Sequence, residues 1–70
     1  MNITDKQKMI LLEYVPNAVR LLQESNLYDL EMAIDDEITE TGMNDSFELN
    51  EIGVKLQLLY DRIYNQNLNN

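Results

Sequence analysis

The sequence contains no cysteine and no histidine. Without thiols there is no disulfide, no thiolate nucleophile and no soft metal ligand; without imidazole there is neither a serine–histidine relay nor the usual zinc site. Catalysis would be left to carboxylates, tyrosines, lysines and hydroxyls. A carboxylate pair such as Asp35 and Asp36 does acid–base work only inside a concave pocket that perturbs its pKa values, and 70 residues leave little room for one. The expectation is a chain that is not an enzyme and carries no cofactor.

Long apolar runs are also missing. No stretch approaches the roughly 18 consecutive apolar residues of a membrane span, and charges interrupt the N-terminus at Asp5 and Lys6, so there is no signal-peptide apolar region. These absences predict a soluble, cytoplasmic protein that does not engage a membrane. The third absence is local. From Glu24 through Glu51 there are ten acids and no lysine or arginine, within a chain of 13 acidic and 5 basic residues and net charge -8. A field of that sign repels phosphate backbones, which argues against direct nucleic-acid binding. Nine asparagines, with abundant Ile, Asp and Glu, are the composition of an AT-rich coding sequence such as that of a low-GC bacterium.

What is present is helical periodicity. Thr4 and Gln7 have the spacing of a capping box, placing a helix start near Asp5. Leu11, Leu12, Val15, Ala18, Val19 and Leu22 then share one face across Pro16, which lacks an amide proton and crowds the carbonyl of Leu12. A kink or a break near Tyr14 and Val15 follows. Asn26 suits a second N-cap, with Asp29 in the first turn; Leu27, Leu30, Ile34 and Ile38 form the stripe, and Gly42 is placed to end the helix in a left-handed conformation. Met43 to Ser46 should be the connecting loop. A third helix starts between Ser46 and Asn50 and carries Leu49, Ile52, Leu56, Leu59 and Ile63, the strongest periodicity in the chain. Gly53 inside it costs about 1 kcal/mol relative to alanine and marks a close helix contact. The predicted architecture is an all-α, three- or four-helix bundle over residues 1–64, its first helix kinked or broken at Pro16, with residues 65–70 a frayed polar tail.

The first and third helices each carry a second apolar stripe: Ile10, Tyr14 and Leu21 on one, Val54 and Leu58 on the other. A core of this size contributes only about 3 to 5 kcal/mol of net stability, so self-association through these residues is the natural reading, as a homodimer. Rotation of the helix at Pro16, burying the second stripe within one chain, is the alternative. Tyr14, Tyr28, Tyr60 and Tyr64 offer large contact area with few torsions to freeze, as interface anchors or as the margin of the core.

Two binding patterns stand out. Asp29, Asp36 and Glu40 lie opposite the apolar stripe of their helix, and Asp45, Glu48 and Glu51 follow them. Together these acids form a surface for a basic protein partner, one that mimics the phosphates of nucleic acid, or a face that serves solubility alone. The twelve residues from Glu37 to Glu48, with Gly42 sixth and an acid last, imitate the layout of a calcium-binding helix-loop-helix, although Glu37, Thr39 and Thr41 are poor choices for its first three ligand positions. The functional expectation is a small regulatory or inhibitory interaction protein. The alternatives are a calcium-responsive module or a structural subunit with no activity of its own.

Overall fold

The computed structural model describes residues 1–68 and forms an all-α bundle of four helices. They are α1 (Asp5–Tyr14), α2 (Ala18–Glu24), α3 (Leu27–Thr41) and α4 (Glu51–Gln66). Among the described residues there is no strand, only an isolated antiparallel bridge between Met43 and Leu49.

The first helix begins as its sequence dictates. The Thr4 hydroxyl accepts from the Gln7 amide at 3.1 Å, and the Gln7 side chain accepts from the Thr4 amide at 3.0 Å. It ends at Tyr14 because a residue before proline is driven out of the helical region: Val15 is extended, at φ -107° and ψ 117°. Asn17 then turns the chain in a left-handed conformation, φ 63°, which asparagine tolerates better than most residues. The expected break at Pro16 thus separates two helices. Ser25, also left-handed at φ 53°, ends α2, and Asn26 caps α3 by accepting from the Asp29 amide at 3.1 Å.

The core draws on all four helices: Leu11, Val15, Ala18, Leu21, Leu30, Ile34, Ile38, Leu56, Leu59 and Ile63. α3 and α4 form an antiparallel hairpin. α1 lies along α4, its start beside the end of α4 through Gln7 and Gln66 and its end beside Lys55 through Tyr14. This docking corrects the stripe read from the sequence. The inward face of the first two helices includes Leu21 and, partly buried, Ile10 and Tyr14, while Leu12 and Val19 are more than half exposed. A polar contact explains the rotation: Gln7 is buried, and its amide pairs reciprocally with that of Gln66, at 2.7 and 3.0 Å. Leu49 is likewise displaced from its expected core position to the surface, because α4 starts only after Asn50.

Two further expectations are corrected. Gly42 is not left-handed; its φ is -93°. It is glycine because α3 and α4 meet there: a β-carbon on Gly42 would stand 2.8 Å from Gly53 Cα and 2.8 Å from the Ile38 carbonyl oxygen. The tail is not frayed at its start. Gln66 closes α4, and buried Asn67 accepts from the Asn2 amide at 2.6 Å while donating to the carbonyls of Asn2 and Ile63 at 3.0 and 2.7 Å. These polar contacts tie the two ends of the chain together, which apolar periodicity does not register. Asn69 and Asn70, the last residues of the expected tail, lie outside the described residues.

Candidate functional site

The surface at the α3–α4 end of the bundle is built on asparagine caps. Asn50 caps α4, its side-chain oxygen accepting from the Gly53 amide at 2.9 Å, while its side-chain amide donates to the Thr41 carbonyl at 2.9 Å. Its backbone amide donates to the Gly42 carbonyl at 2.9 Å. One residue thus satisfies groups at the end of α3 and at the start of α4. Within the loop, the Asn44 side-chain oxygen accepts from the amides of Ser46 (2.9 Å) and Glu48 (3.1 Å). The Asn44 backbone amide donates to Glu48, and its carbonyl accepts from Phe47.

The product of this bonding is an aromatic side chain held out into solvent. Phe47 is 85 % exposed and sits in the left-handed region at φ 62°, a conformation that costs a bulky residue of the order of 1 to 2 kcal/mol. Such strain persists only where the surrounding bonds determine it, as those of Asn44 do here, and it clusters at functional sites. Asp45 and Glu48, both exposed, flank it in sequence. Phe47 belongs to none of the stripes, caps or acidic positions expected from the sequence. The available signal was the chain's one phenylalanine lying in a loop, outside every apolar stripe.

Asp29, Asp36 and Glu40 are exposed on α3, opposite its buried stripe, with Asp36 and Glu40 one turn apart. Among the described residues no lysine or arginine pairs with them; the ion pair is Arg20–Glu24 on α2, at 3.0 Å. Glu40 lies in the last turn of α3, where the helix dipole disfavours a negative charge and where no basic residue compensates. The basic residues gather elsewhere. Lys6, Lys55 and Arg62 rim a groove of about 200 Å³ between α1 and α4 that also contains Ile10 and Leu58. The remaining residues of the expected apolar interface are dispersed: Tyr14 lies under Lys55, whose ammonium is 5.3 Å from its ring centroid, Leu21 is in the core, and Val54 is about half exposed on α4, as is Leu58 at the groove.

The calcium pattern does not form a loop. Glu37, Thr39 and Thr41 belong to α3, and the two threonine hydroxyls donate to the carbonyls of Asp35 and Glu37 within that helix. Helical backbone cannot wrap these side chains around an ion. Among the described residues no group of three or more acidic side chains is placed to hold a metal.

A second site lies on the flank of the α3–α4 hairpin, where Leu27, Tyr28, Glu31, Tyr60 and Tyr64 line a cavity of about 220 Å³. Glu31 is only 7 % exposed, and neither of its carboxylate oxygens has a hydrogen-bond partner among the described residues. Burial pushes its pKa up, and the charge of Asp61 pushes it further in the same direction. The Tyr60 phenol is raised in turn, chiefly by the charge of Glu31, then by burial and by Asp35, Tyr64 and Asp61. The cavity is therefore aromatic-walled and set in a negative field.

No helix among the described residues is long and apolar enough to cross a membrane. No family model matches this chain, and no curated protein or solved structure matches it either.

Proposed function

We propose that this chain is a regulatory or inhibitory interaction protein. It docks on a basic protein through the carboxylates of Asp29, Asp36, Glu40, Asp45 and Glu48, with Phe47 as the apolar anchor among them. The observation that carries the reading is the exposed, left-handed Phe47 in an acidic loop that four hydrogen bonds of Asn44 close, one of them to the Phe47 amide itself. A solubilising face has no use for a strained, projecting phenylalanine, whereas a binding face gains an aromatic contact at its loop end and charges beside it to steer encounter and set register. The placement of Glu40 supports the same reading, because that charge opposes the stability of its own helix. Carboxylates spread over a helix and a loop present negative charge as a phosphate backbone does, so the partner's natural ligand is proposed to be nucleic acid, and the action to be competitive. The cytoplasm is the proposed setting.

A photo-crosslinking residue at position 47 tests the proposal in the native cell. The expected product is a basic protein, and in lysate its crosslinking yield should fall when salt is raised above the physiological range, or duplex DNA or RNA is added, before irradiation. Crosslinking that salt leaves unchanged overturns the electrostatic part of the proposal. Capture of an acidic protein overturns all of it.

Self-association is a second reading, supported by Val54 and Leu58. They lie one turn apart on α4, about half exposed, with Leu58 reaching the basic-rimmed groove. Dimerisation through that face leaves the α3 acids and Phe47 free for a partner. Sedimentation equilibrium tests it: a dimer that Val54→Asp dissociates supports the reading, and a monomer across the concentration range ends it.

A further inference from the structure

We infer that the cavity between Tyr28, Tyr60 and Tyr64 is a receptor for one arginine side chain of a protein partner, with Glu31 as its anion. The inference rests on the reading that the partner is basic, but the cavity is distinct from the acidic face of α3 and is tested separately.

A buried carboxylate with no partner is costly, and native folds tolerate one where a ligand or a mechanism uses it. Glu31 is such a group, and it lines a cavity open to solvent. The walls narrow the choice of ligand. Tyrosine faces attract cations through the ring quadrupole, and the surrounding charges of Asp35 and Asp61 are of the sign that draws a cation in. A metal ion is a poor fit, since it would find one carboxylate and aromatic rings in place of several oxygen ligands.

Between the two cationic side chains, the geometry favours arginine. Both oxygens of Glu31 are unpartnered among the described residues, which matches the two parallel N–H donors of a guanidinium. A guanidinium is also more weakly hydrated than an ammonium and stacks on aromatic faces, so it enters a partly apolar cavity at lower cost. The carboxylate oxygens are shielded in the free protein, and access comes from the walls. Tyr28 and Tyr64 are 72 % and 50 % exposed, and exposed rings change rotamer within nanoseconds. Engagement therefore orders two tyrosines and gives Glu31 the partner it lacks.

The probe is the capped tripeptide acetyl-Gly-Arg-Gly-amide, titrated into the isotopically labelled full chain and followed by NMR, with the lysine and citrulline peptides alongside. The expected result is saturable shifts at Leu27, Tyr28, Glu31, Tyr60 and Tyr64 with the arginine peptide, weaker binding of lysine and none of neutral citrulline. Glu31→Gln should weaken the arginine peptide about tenfold or more, because it removes a charge-assisted bidentate pair. Tyr64→Leu, at an exposed position that leaves folding intact, should weaken it severalfold. The inference is overturned by the absence of saturable shifts, by equal binding of citrulline or lysine, or by binding that survives both substitutions. Asp36→Lys with Glu40→Lys separates the two sites: cavity binding must persist in that variant. Shifts confined to the α3 acids would overturn the cavity while leaving the acidic face as the docking surface.

Discussion

The carbonyl oxygen of Gly42 occupies the space in which a β-carbon of Gly53 would stand. Two backbones approach this closely only where neither carries a side chain, so the crossing of α3 and α4 is fixed at the loop end by a glycine pair. Gly53→Ala illustrates a conflict of local and tertiary preferences. Helix propensity favours alanine by about 1 kcal/mol, but the added methyl meets backbone that cannot yield as a flexible side chain would. The net outcome expected is a loss of about 1 to 3 kcal/mol from overpacking, most of the stability of so small a domain. Urea denaturation of Gly53→Ala and Gly42→Ala checks this; an unchanged midpoint in either variant refutes the close crossing.

Asn50 permits a finer dissection of the same junction. Asn50→Asp keeps the oxygen that caps α4 but loses the donor to Thr41 and brings a negative charge to the C-terminal end of α3. Asn50→Ala loses both side-chain bonds and should cost about 1 to 2 kcal/mol. Aspartate ordinarily caps as well as asparagine, so a measurable loss in Asn50→Asp, smaller than that of Asn50→Ala, is the outcome that identifies the double role. Equal stability of the aspartate variant and the parent would reduce Asn50 to an ordinary cap.

The caps and the break at Pro16 were legible in the sequence because each is a local signal: Thr4, Asn26 and Asn50 have the right chemistry at helix starts, and proline excludes its predecessor from the helix. The stripes of α3 and α4 were legible for the same reason, through periodicity. The rotation of α1 was legible only as the alternative to self-association. Which of its two apolar faces turns inward is decided by Gln7 meeting Gln66, 59 positions away, and polar residues carry no signature of burial until their partner is known. The candidate site divides in the same way. Acids on one face of α3 follow from spacing alone, whereas Phe47 needed the loop conformation. Glu31 needed the packing of α4 against α3, since on a helical wheel it is one more acid beside a stripe.

The amide pair of Gln7 and Gln66 predicts that the polar tail is structural. Truncation after Tyr64 removes Gln66 and Asn67 and with them the bonds to Gln7 and Asn2, leaving the buried Gln7 amide without its α4 partner. Each buried polar group left unsatisfied costs about 1 to 3 kcal/mol. Chemical denaturation of the truncated chain should therefore show a clear loss, and a Gln7→Ala, Gln66→Ala double-mutant cycle should show coupling of about 0.5 kcal/mol or more between the two side chains. Additive single effects would mean that the pair does not act as a unit.

Glu31 predicts a pH dependence of defined sign. Because its pKa is raised, there is a pH window above the ordinary carboxylate range in which the folded state still holds a proton that the unfolded state has released. Stability therefore falls as pH rises from the ordinary carboxylate range through the raised value, and below both values this penalty is absent. Asp61, Asp35 and Tyr60 surround the group and oppose its ionisation or share its field. Replacing Glu31 by methionine should stabilise the fold by about 1 to 2 kcal/mol near neutral pH, by removing a buried group that lacks a partner. The advantage should shrink toward pH 4. Denaturation of both proteins at several pH values is decisive, since a pH-independent difference would assign the effect to packing alone.

Glu40 predicts opposite effects on stability and on binding. Its charge lies in the last turn of α3 beside the negative end of the helix dipole, with no basic residue there to offset it. Glu40→Lys should raise stability by about 0.3 to 1 kcal/mol at low ionic strength, less as salt is added. If α3 is the docking surface for a basic protein, the same substitution weakens association and slows its on-rate, because a repulsive charge now meets the partner. A face that serves only solubility shows the gain in stability without the loss in binding. Thermal denaturation in low and high salt, paired with association kinetics against the protein crosslinked at position 47, separates these cases. A stabilised variant that still binds at the parental rate removes Glu40 from the docking surface, and Asp36→Lys then tests whether the rest of the helix face goes with it.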